Sequence, residues 1–413
     1  MSKSLILALI VACCALPGTR AAEPAAETPR QVLLLLNVPP PHFRPEGNYS
    51  GGYAEAAGRS ARKRVAAALA RAHGLQLATD WPMPVLGLDC YVMDVPAALQ
   101  PRDVANRLTR EPGVAWAQVM NVFQPLGREE AMVERPPAVR HWPLAELHQW
   151  VNGRGVRIAV IDSAIQADHP DLSEQVAARM NLVAGRPDTA ELHGTAVAGI
   201  IAARPDSRIG MVGVAPLARI FALRACWQVS SVDTRCTSLS LAMALSAALE
   251  NNADIINLSL GGPPDRLIQR LIESALARGV PVVAAMNRAA ADGGFPAAMP
   301  GVIPVADAPS PKLARAVAAP GTDVLTTLPE SRWGTVSGSS YAAAHVSGLM
   351  ALIMDARSRR TSASGRPPGP IAADLVPDPD GRVDACATLA RASMTCGCHC
   401  GPAPPSVDSI ARP

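Results

Sequence analysis

From Val156 onward, short apolar segments typical of buried strands alternate with longer segments that have the apolar spacing of helices. The strand-like segments are residues 156–161, 220–223, 255–258, 280–285 and 302–305, and the helical ones are residues 194–203, 238–250, 266–278 and 340–354. This alternation predicts a mainly parallel sheet covered by helices on both faces, because a parallel pair of strands needs a crossover connection. We therefore expect an α/β domain over residues 140–393.

A smaller unit is predicted ahead of that domain, over residues 30–126. Strand-like segments at residues 31–38, 88–95 and 115–123 alternate with helical segments at residues 59–77 and 101–110, and a further short strand fits at residues 81–86. This order is typical of a small α+β unit of the split-βαβ kind.

The remaining segments have the composition of connections. Residues 128–142 are charged and Pro-rich and are predicted to be a linker, and residues 357–369 are predicted to be a surface insertion. Residues 394–413 form a tail rich in Cys and Pro.

The composition supports packed domains and narrows the range of partners. Hydrophobic residues make up 49% of the 413 residues and charged residues 18%, so extensive disorder is not expected. The net charge of +3 is small and evenly spread, so we do not expect nucleic acid to be a partner.

The N-terminus has the features of an export signal. Lys3 precedes an apolar run at residues 5–16, and small residues near Ala21 are suited to cleavage, so residues 1–21 are predicted to be a signal peptide. We expect a periplasmic or extracellular protein. Residues 10–13 also resemble a lipobox, and contact with the membrane is expected only if Cys13 is acylated. A buried N-terminal helix is a third interpretation.

The nine cysteines of an exported chain favour disulfide bonds. Cys226 and Cys236 would close a short loop and are the best single pairing. The cluster at residues 396–400, Cys-Gly-Cys-His-Cys, could instead bind a soft metal, although its spacing differs from the usual C-x2-C of structural zinc sites.

Three segments place reactive side chains at the edges of predicted elements. Asp162 ends a buried strand, His193 precedes a helix of small residues, and Ser340 follows a Gly/Ser turn at the start of a long helix. A serine hydroxyl is a weak nucleophile until an imidazole takes its proton, and a carboxylate can hold that imidazole in the right tautomer. These residue types together predict nucleophilic catalysis.

The segments around these residues resemble the blocks of subtilisin-like serine peptidases, the subtilases. The resemblance lies in IAVIDSAI at residues 158–165, HGTAVAGIIAA at residues 193–203 and SGSSYAAAHVSGL at residues 337–349, and in connecting segments at residues 169–172, 212–216, 254–262, 282–287 and 319–321. It extends over residues 144–392 and includes the chain order Asp, His, Ser that the family shares.

The resemblance implies a serine endopeptidase that hydrolyses protein or peptide substrates through an acyl-enzyme intermediate. It implies that Asn287 and the Ser340 amide stabilise the oxyanion. Substrate would pair as a strand with Ser259, Leu260 and Gly261 on one side and residues 224–227 on the other. The N-terminal unit resembles the ferredoxin-like inhibitory propeptide of many subtilases, which would make it the protein's own partner.

Several positions depart from the family pattern. They are Ser163 and Ala164 after the aspartate, Ala196 in the histidine block, Met286 before Asn287, and Ser339 and Ala344 in the serine block. None removes a reacting group, but Met286 and Ala344 flank the site. The alternative hypothesis is therefore a catalytically weak or inactive peptide-binding protein with the same fold.

No cofactor and no catalytic metal are expected. The family often binds structural calcium, and Asp171 matches a position used for that, with loop carbonyls at residues 207–211 as further ligands. Calcium remains a candidate. We interpret His148, His169 and His345 as structural residues.

Overall fold

The computed structural model describes residues 29–38, 51–129, 142–204, 210–230, 233–309, 316–364 and 370–393. The predicted signal peptide, Cys13 and the cysteines of the tail lie outside the described residues. Within those residues, no helix is both long enough and apolar enough to cross a membrane.

The N-terminal unit is a four-stranded antiparallel sheet with two helices. Its elements are β1 (Gln31–Asn37), α1 (Gly51–Ala72), β2 (Gln76–Met83), β3 (Leu88–Asp94), α2 (Pro101–Leu108) and β4 (Val114–Val119), with a short 3₁₀ helix at Pro84–Leu86. The strand order is β2-β3-β1-β4, the ferredoxin-like arrangement that the sequence predicts.

The second unit is built on a seven-stranded parallel sheet, as predicted. In spatial order its strands are β16 (Val317–Ala318), β15 (Ile303–Ala306), β14 (Val282–Ala285), β12 (Ile255–Leu258), β7 (Arg157–Asp162), β9 (Arg219–Arg224) and β8 (Val176–Asn181). The pairs β7–β9, β12–β7 and β12–β14 are parallel, so their carboxyl ends meet at one edge of the sheet.

Helices cover both faces of this sheet. They are α3 (Leu144–Leu147), α4 (Leu192–Ala202), α5 (Ser238–Glu250), α6 (Arg266–Ala277), α7 (Ser339–Ser364) and α8 (Ala385–Ser393), with a 3₁₀ turn at Ile371–Asp374. Strand β7 shows the two-sided burial directly. Ile158 and Val160 belong to the core under α4 and α7, whereas Ala159 and Ile161 belong to the core under α5 and α6.

Two smaller sheets join the units. One has the order β10 (Cys226–Ser230), β11 (Asp233–Thr237), β5 (Val122–Pro125) and β13 (Leu260–Gly261), and the other has the order β17 (Val324–Leu328), β18 (Arg332–Gly338) and β6 (Gly127–Glu129). The predicted Cys226–Cys236 disulfide is present and links β10 to β11.

Some boundary predictions are wrong. The predicted linker at residues 128–142 begins as strand β6, because these residues pair with β18. The predicted insertion at residues 357–369 is helical as far as Ser364, since α7 runs on from the core. Edge strand β8 escaped prediction because its side chains are mostly exposed and lack an apolar pattern.

The N-terminal unit docks on the starts of α5 and α6. Asp265 is buried, caps α6 and accepts hydrogen bonds from Gln118 Nε2 (2.8 Å) and Asn121 Nδ2 (2.9 Å). The hydroxyl of Ser238, the first residue of α5, donates to the same carboxylate, at 2.5 Å. A carboxylate at two helix N-termini is favourably placed, and the amides from the N-terminal unit complete its shell.

Cys90 lies under this interface and is fully buried. Burial raises the pKa of its thiol well above the usual range, and the nearby Asp265 and Asp89 carboxylates raise it further. The thiol is therefore protonated and unreactive while the two units are docked.

Helix α4 packs against β17 without a gap. A Cβ on Gly199 would lie 2.2 Å from Thr327 Oγ1 and 2.7 Å from Thr326 Oγ1. These hydroxyls cannot turn away freely, because they donate to the α4 carbonyls of Thr195 and Ala196 (2.8 and 2.7 Å). The close approach fixes the position of α4, and with it that of His193.

We expect Gly199→Ala to lower the free energy of unfolding by about 1–3 kcal/mol, because the added methyl forces α4 and β17 apart. The matched control is Gly58→Ala in α1, where a Cβ meets only the flexible end of Arg62. That change should be neutral or stabilising by about 0.5–1 kcal/mol. Urea unfolding measures both; equal stability of Gly199→Ala and wild type would contradict the packing account.

Candidate active site

The site lies where the central parallel strands end. Strand β7 ends at Asp162, β12 is followed by Ser259, and β14 is followed by Met286 and Asn287. Side chains at the carboxyl ends of neighbouring parallel strands face a common crevice. The first turn of α4 carries His193, and the first turn of α7 carries Ser340.

Asp162 and His193 form a buried pair. The distance from His193 Nδ1 to Asp162 Oδ1 is 2.7 Å, and both side chains are almost completely buried. The same carboxylate oxygen accepts the Ser163 amide, also at 2.7 Å. Because a carboxylate can only accept here, Nδ1 carries the proton and Nε2 is left with its lone pair. Among the described residues, the buried Nε2 has no hydrogen-bond partner.

The Ser340 hydroxyl is turned to a different partner. It donates to the Ser259 carbonyl (2.7 Å) and accepts the Leu126 amide (2.8 Å). It is fully buried. The next residue, Tyr341, brings its ring to 5.3 Å from that of His193. The structure thus pairs Asp162 with His193 and brings the residue after Ser340 against His193, while the Ser340 hydroxyl is hydrogen-bonded to Ser259 and Leu126.

A buried polar chain fixes the backbone of Ser340. Its carbonyl accepts the hydroxyl of Ser259 (2.8 Å), whose oxygen accepts Asn257 Nδ2 (3.0 Å). The Oδ1 atom of Asn257 accepts the hydroxyl of Ser347, about two turns further along α7 (2.8 Å). Every member of the chain is fully buried. Satisfied buried polar groups of this kind are rigid, so they hold the Ser340 backbone in place while its side chain is not part of the chain of hydrogen bonds.

The chain's own residues 122–129 run through the crevice as an added strand. Strand β5 pairs antiparallel with β11 on one side, where Phe123 faces Cys236, and with β13 on the other, where Pro125 faces Leu260 and Gln124 faces Gly261. Strand β6 continues along β18. Of the predicted edge, Leu260 and Gly261 thus pair with an extended segment, whereas the carbonyl of Ser259 accepts the Ser340 hydroxyl. The opposite edge is β11, not residues 224–227, because β10 is separated from the segment by β11.

The carbonyl of Leu126 lies beside the start of α7. Its oxygen accepts the Ser340 amide (3.2 Å), and Ser339 Oγ lies 3.3 Å away, with its proton directed to the closer Met286 carbonyl (2.7 Å). Asn287 and Leu126 both line two cavities of about 510 and 490 Å³. Asn287 Oδ1 accepts the Ala289 amide (3.0 Å), which orients the side-chain amide and leaves its N–H₂ for another acceptor. Such donors can stabilise negative charge on a carbonyl oxygen.

Phe123 fills a pocket three residues before Leu126. It is fully buried, its ring lies 6.2 Å from that of Phe295, and a Cβ on Gly262 would come within 2.3 Å of it. Gln124 is exposed. The segment therefore alternates between a buried and a solvent-facing side chain, as a strand on a surface does.

A buried ion pair that the sequence analysis missed ties three parts of the site together. Glu191 Oε1 accepts Arg224 Nη2 (2.8 Å) and the Gln228 amide (3.1 Å), and its Oε2 accepts the Ala164 amide (2.8 Å). It thereby joins the end of β7, the start of α4 and strand β10. Two sequence features could have indicated this ion pair: Arg224 ends an apolar strand, and Glu191 lies two residues before His193. Charged residues at such positions are rarely buried unless they are paired.

The departures from the family pattern fit the local structure. Ser163 Oγ accepts the Gly194 amide (3.0 Å), and the Ser339 hydroxyl donates to the Met286 carbonyl (2.7 Å). Met286 and Ala344 are buried, and neither replaces a polar group of the crevice. The predicted structural roles of the other histidines also fit: His169 Nε2 contacts the Arg332 carbonyl (3.0 Å).

The described residues hold no group of three or more His, Cys, Asp or Glu that could bind a metal. Asp171 is nevertheless unusual. Its Oδ2 accepts the Met211 amide (2.9 Å) and Trp333 Nε1 (2.7 Å), whereas its buried Oδ1 has no partner within the part of the chain that the structure describes. One buried carboxylate oxygen is a fitting ligand for a hard cation.

Comparisons with known proteins identify the family to which this site belongs. The sequence profile of the subtilase family matches residues 153–366. The chain is 31% identical to subtilisin E of Bacillus subtilis over 293 residues, which is 67% of this chain and 74% of that protein. It is 37% identical to subtilisin BL of Lederbergia lenta over 217 residues, or 49% of this chain and 77% of that protein.

A solved structure shows the same fold. Fervidolysin from Fervidobacterium pennivorans, described as a keratinolytic enzyme related to subtilisin, superposes with a TM-score of 0.64 at 19% identity. The match covers 89% of this chain and 62% of that chain. Profile, relatives and fold agree over the domain that contains the crevice, and the chain therefore belongs to the subtilase family of serine peptidases.

Proposed function

We propose that this protein is an exported serine endopeptidase, made as a precursor whose residues 122–129 occupy its own active site. The observation that carries the proposal is the contact between Leu126 and Ser340. A peptide carbonyl points at the Ser340 amide, and the serine hydroxyl lies on the adjoining peptide N–H. The Tyr341 ring connects this peptide to the buried Asp162–His193 pair, because it lies against Gly127 and contacts the His193 ring.

Catalysis would begin with a rotation of the Ser340 side chain. Its hydroxyl leaves the Ser259 carbonyl and donates to His193 Nε2, which has a free lone pair. His193 then takes the proton as the oxygen attacks the carbonyl carbon of Leu126, and Asp162 stabilises the imidazolium that forms.

The negative charge that develops on the Leu126 oxygen would be held by the Ser340 amide and the Asn287 side-chain amide. His193 returns its proton to the nitrogen of Gly127, and the bond between Leu126 and Gly127 breaks. Water then attacks the acyl carbon with His193 as base, which releases the Leu126 carboxylate and restores Ser340.

The domain assignments follow from this role. We propose residues 1–21 as a signal peptide, 30–126 as a propeptide that folds as a ferredoxin-like domain, 140–393 as the peptidase and 394–413 as the tail. Asp265 supports the propeptide assignment, because Gln118 and Asn121 complete its hydrogen bonds. The N-terminal sequence and the Cys226–Cys236 disulfide support export to an oxidising compartment, periplasmic or extracellular. The alternative to signal cleavage after Ala21 is acylation of Cys13, which would anchor the protein to a membrane.

No cofactor takes part in this chemistry, since the reacting groups are side chains and backbone amides. We propose structural calcium at Asp171, whose buried Oδ1 lacks a partner among the described residues. The ion would neutralise that carboxylate and hold the neighbouring loop. The partners are protein or peptide substrates and the propeptide itself.

Ser340→Ala should leave the precursor as one full-length chain, because the nucleophile is lost while the fold is retained. It should also abolish labelling by a serine-directed fluorophosphonate. Gel electrophoresis after refolding and labelling of the purified protein measure both. The control is Ser393→Ala at the end of α8, which should cleave itself and be labelled as wild type is.

The alternative function, peptide binding without turnover, makes a different prediction for the wild type. A wild-type chain that remained intact, kept residues 122–129 bound in the crevice and was not labelled by the fluorophosphonate would favour that alternative. Cleavage of the Ser340→Ala chain would contradict the assigned nucleophile.

Asp162→Asn should lower kcat by about 10⁴, because an amide cannot hold the imidazole in the tautomer that leaves Nε2 unprotonated. KM should change little, since the segment pairs with β11 and β13 and not with this side chain. Steady-state hydrolysis of a peptide substrate measures both constants. A decrease in kcat of less than tenfold would show that His193 does not need Asp162 to act as the base.

Asn287→Leu should lower kcat by about 10²–10³ with little change in KM, because the amide acts on charge that appears only in the transition state. Asn251→Leu at the exposed end of α5 is the control and should be neutral. Equal kcat for Asn287→Leu and wild type would remove Asn287 from the oxyanion site.

A further inference from the structure

We propose that this peptidase cleaves before glycine, because Tyr341 occupies the space that any side chain after the scissile bond would need. The inference rests on the proposed function and names the substrate class of the same site: extended peptides in which glycine provides the leaving amine. The family assignment does not determine this preference. The contacts of Gly127 with Tyr341 and Gly338 carry it.

Gly127 lies directly against the Tyr341 ring. A Cβ built on Gly127 would be 2.6 Å from Cε2, 3.1 Å from Cζ and 3.3 Å from Cδ2 of that ring. Carbon atoms in contact are normally about 3.5–4.0 Å apart. Even an alanine at this position would therefore overlap the ring.

The backbone conformation at this position does not itself require glycine. Gly127 is not among the glycines with positive φ, so an L-residue could adopt its backbone angles without strain. The constraint is purely one of space, and it should apply to any peptide that pairs with β18 in the same register.

A second glycine forms the opposite wall. Gly338 faces Gly127 in the β6–β18 register, and a Cβ on Gly338 would be 2.5 Å from the Gly127 Cα and 2.6 Å from the Leu126 oxygen. The two backbones thus lie in direct contact. The peptide cannot move away from Tyr341 toward β18 to make room for a side chain.

The Tyr341 ring is also poorly able to move. It is 1% exposed, belongs to the main core cluster and follows Ser340 in the first turn of α7. Its ring is in contact with His193, at 5.3 Å between centroids. A displaced ring would disturb either the core or the catalytic base, and interiors are packed too densely to absorb such a shift.

The first test uses the whole precursor. Gly127→Ala should slow self-cleavage by about 10- to 100-fold, and Gly127→Leu more, because forcing one or more carbons into a filled space raises the barrier. Gly58→Ala in α1 is the matched control and should cleave at the wild-type rate. The measurement is the disappearance of full-length chain after refolding, followed on gels and by intact mass.

The second test makes room on the enzyme side of the contact, by replacing Tyr341 with a smaller residue. In the Gly127→Ala precursor, Tyr341→Ala, or Tyr341→Leu if the core needs more volume, should restore cleavage relative to Tyr341→Phe. The phenylalanine keeps all three contacting ring carbons and should keep the block. The same comparison in trans uses the octapeptide of residues 122–129, Val-Phe-Gln-Pro-Leu-Gly-Arg-Glu, beside its versions with Ala or Leu in place of Gly.

The outcomes separate the two proposals. A kcat/KM for the Gly peptide at least tenfold above that for the Ala peptide, with the ratio lost in Tyr341→Ala and kept in Tyr341→Phe, supports the inference. Cleavage of the Gly and Ala peptides within threefold of each other would overturn the glycine requirement while leaving the peptidase intact. If wild type neither cleaved itself nor any peptide, the proposed function would fail and the inference with it.

Discussion

The organisation of the active site depends on one main-chain interaction, the pairing of residues 122–129 between the strands of the crevice. Because main-chain hydrogen bonds set the register, they determine which peptide bond reaches Ser340 regardless of side-chain chemistry. Side chains then lock that register. A slip of one residue would expose Phe123 and bury Gln124. Phe123 would then lose its contact with Phe295, and the side-chain amide of Gln124 would be buried without a partner.

The N-terminal unit strengthens this pairing, since it is covalently continuous with it. Asp265 binds amides from the end of β4 and caps α6, so docking of the unit and insertion of β5 occur in the same few residues. Each contact raises the effective concentration of the other. If the Leu126–Gly127 bond is cut as proposed, the part of the chain that ends at Leu126 becomes a separate chain, whereas β11 and β13 both stay in the peptidase. Under the proposed function, the same cleavage would therefore allow the segment that fills the site to leave.

The sequence predicted the α/β sheet, the ferredoxin-like unit and the residues of the Asp162–His193 pair, because apolar periodicity and short motifs encode buried strands and their ends. It could not predict the orientation of Ser340, which depends on contacts with Leu126 and Ser259 that are far apart in the chain. Nor could it identify β11 as the strand that pairs with β5, because one strand of a hairpin resembles the other in composition. The role of Gly127 was hidden for the same reason: only the fold brings Tyr341 against it.

The most direct test of the central claim is to locate the bond that the refolded wild-type precursor cuts, by intact mass and N-terminal sequencing of both products. The account predicts that the smaller product ends at Leu126 and the larger begins at Gly127, since this bond has its carbonyl on the Ser340 amide. A primary cut elsewhere in the chain, with Leu126 and Gly127 still joined, would show that the segment in the crevice is not presented to Ser340 as the structure indicates.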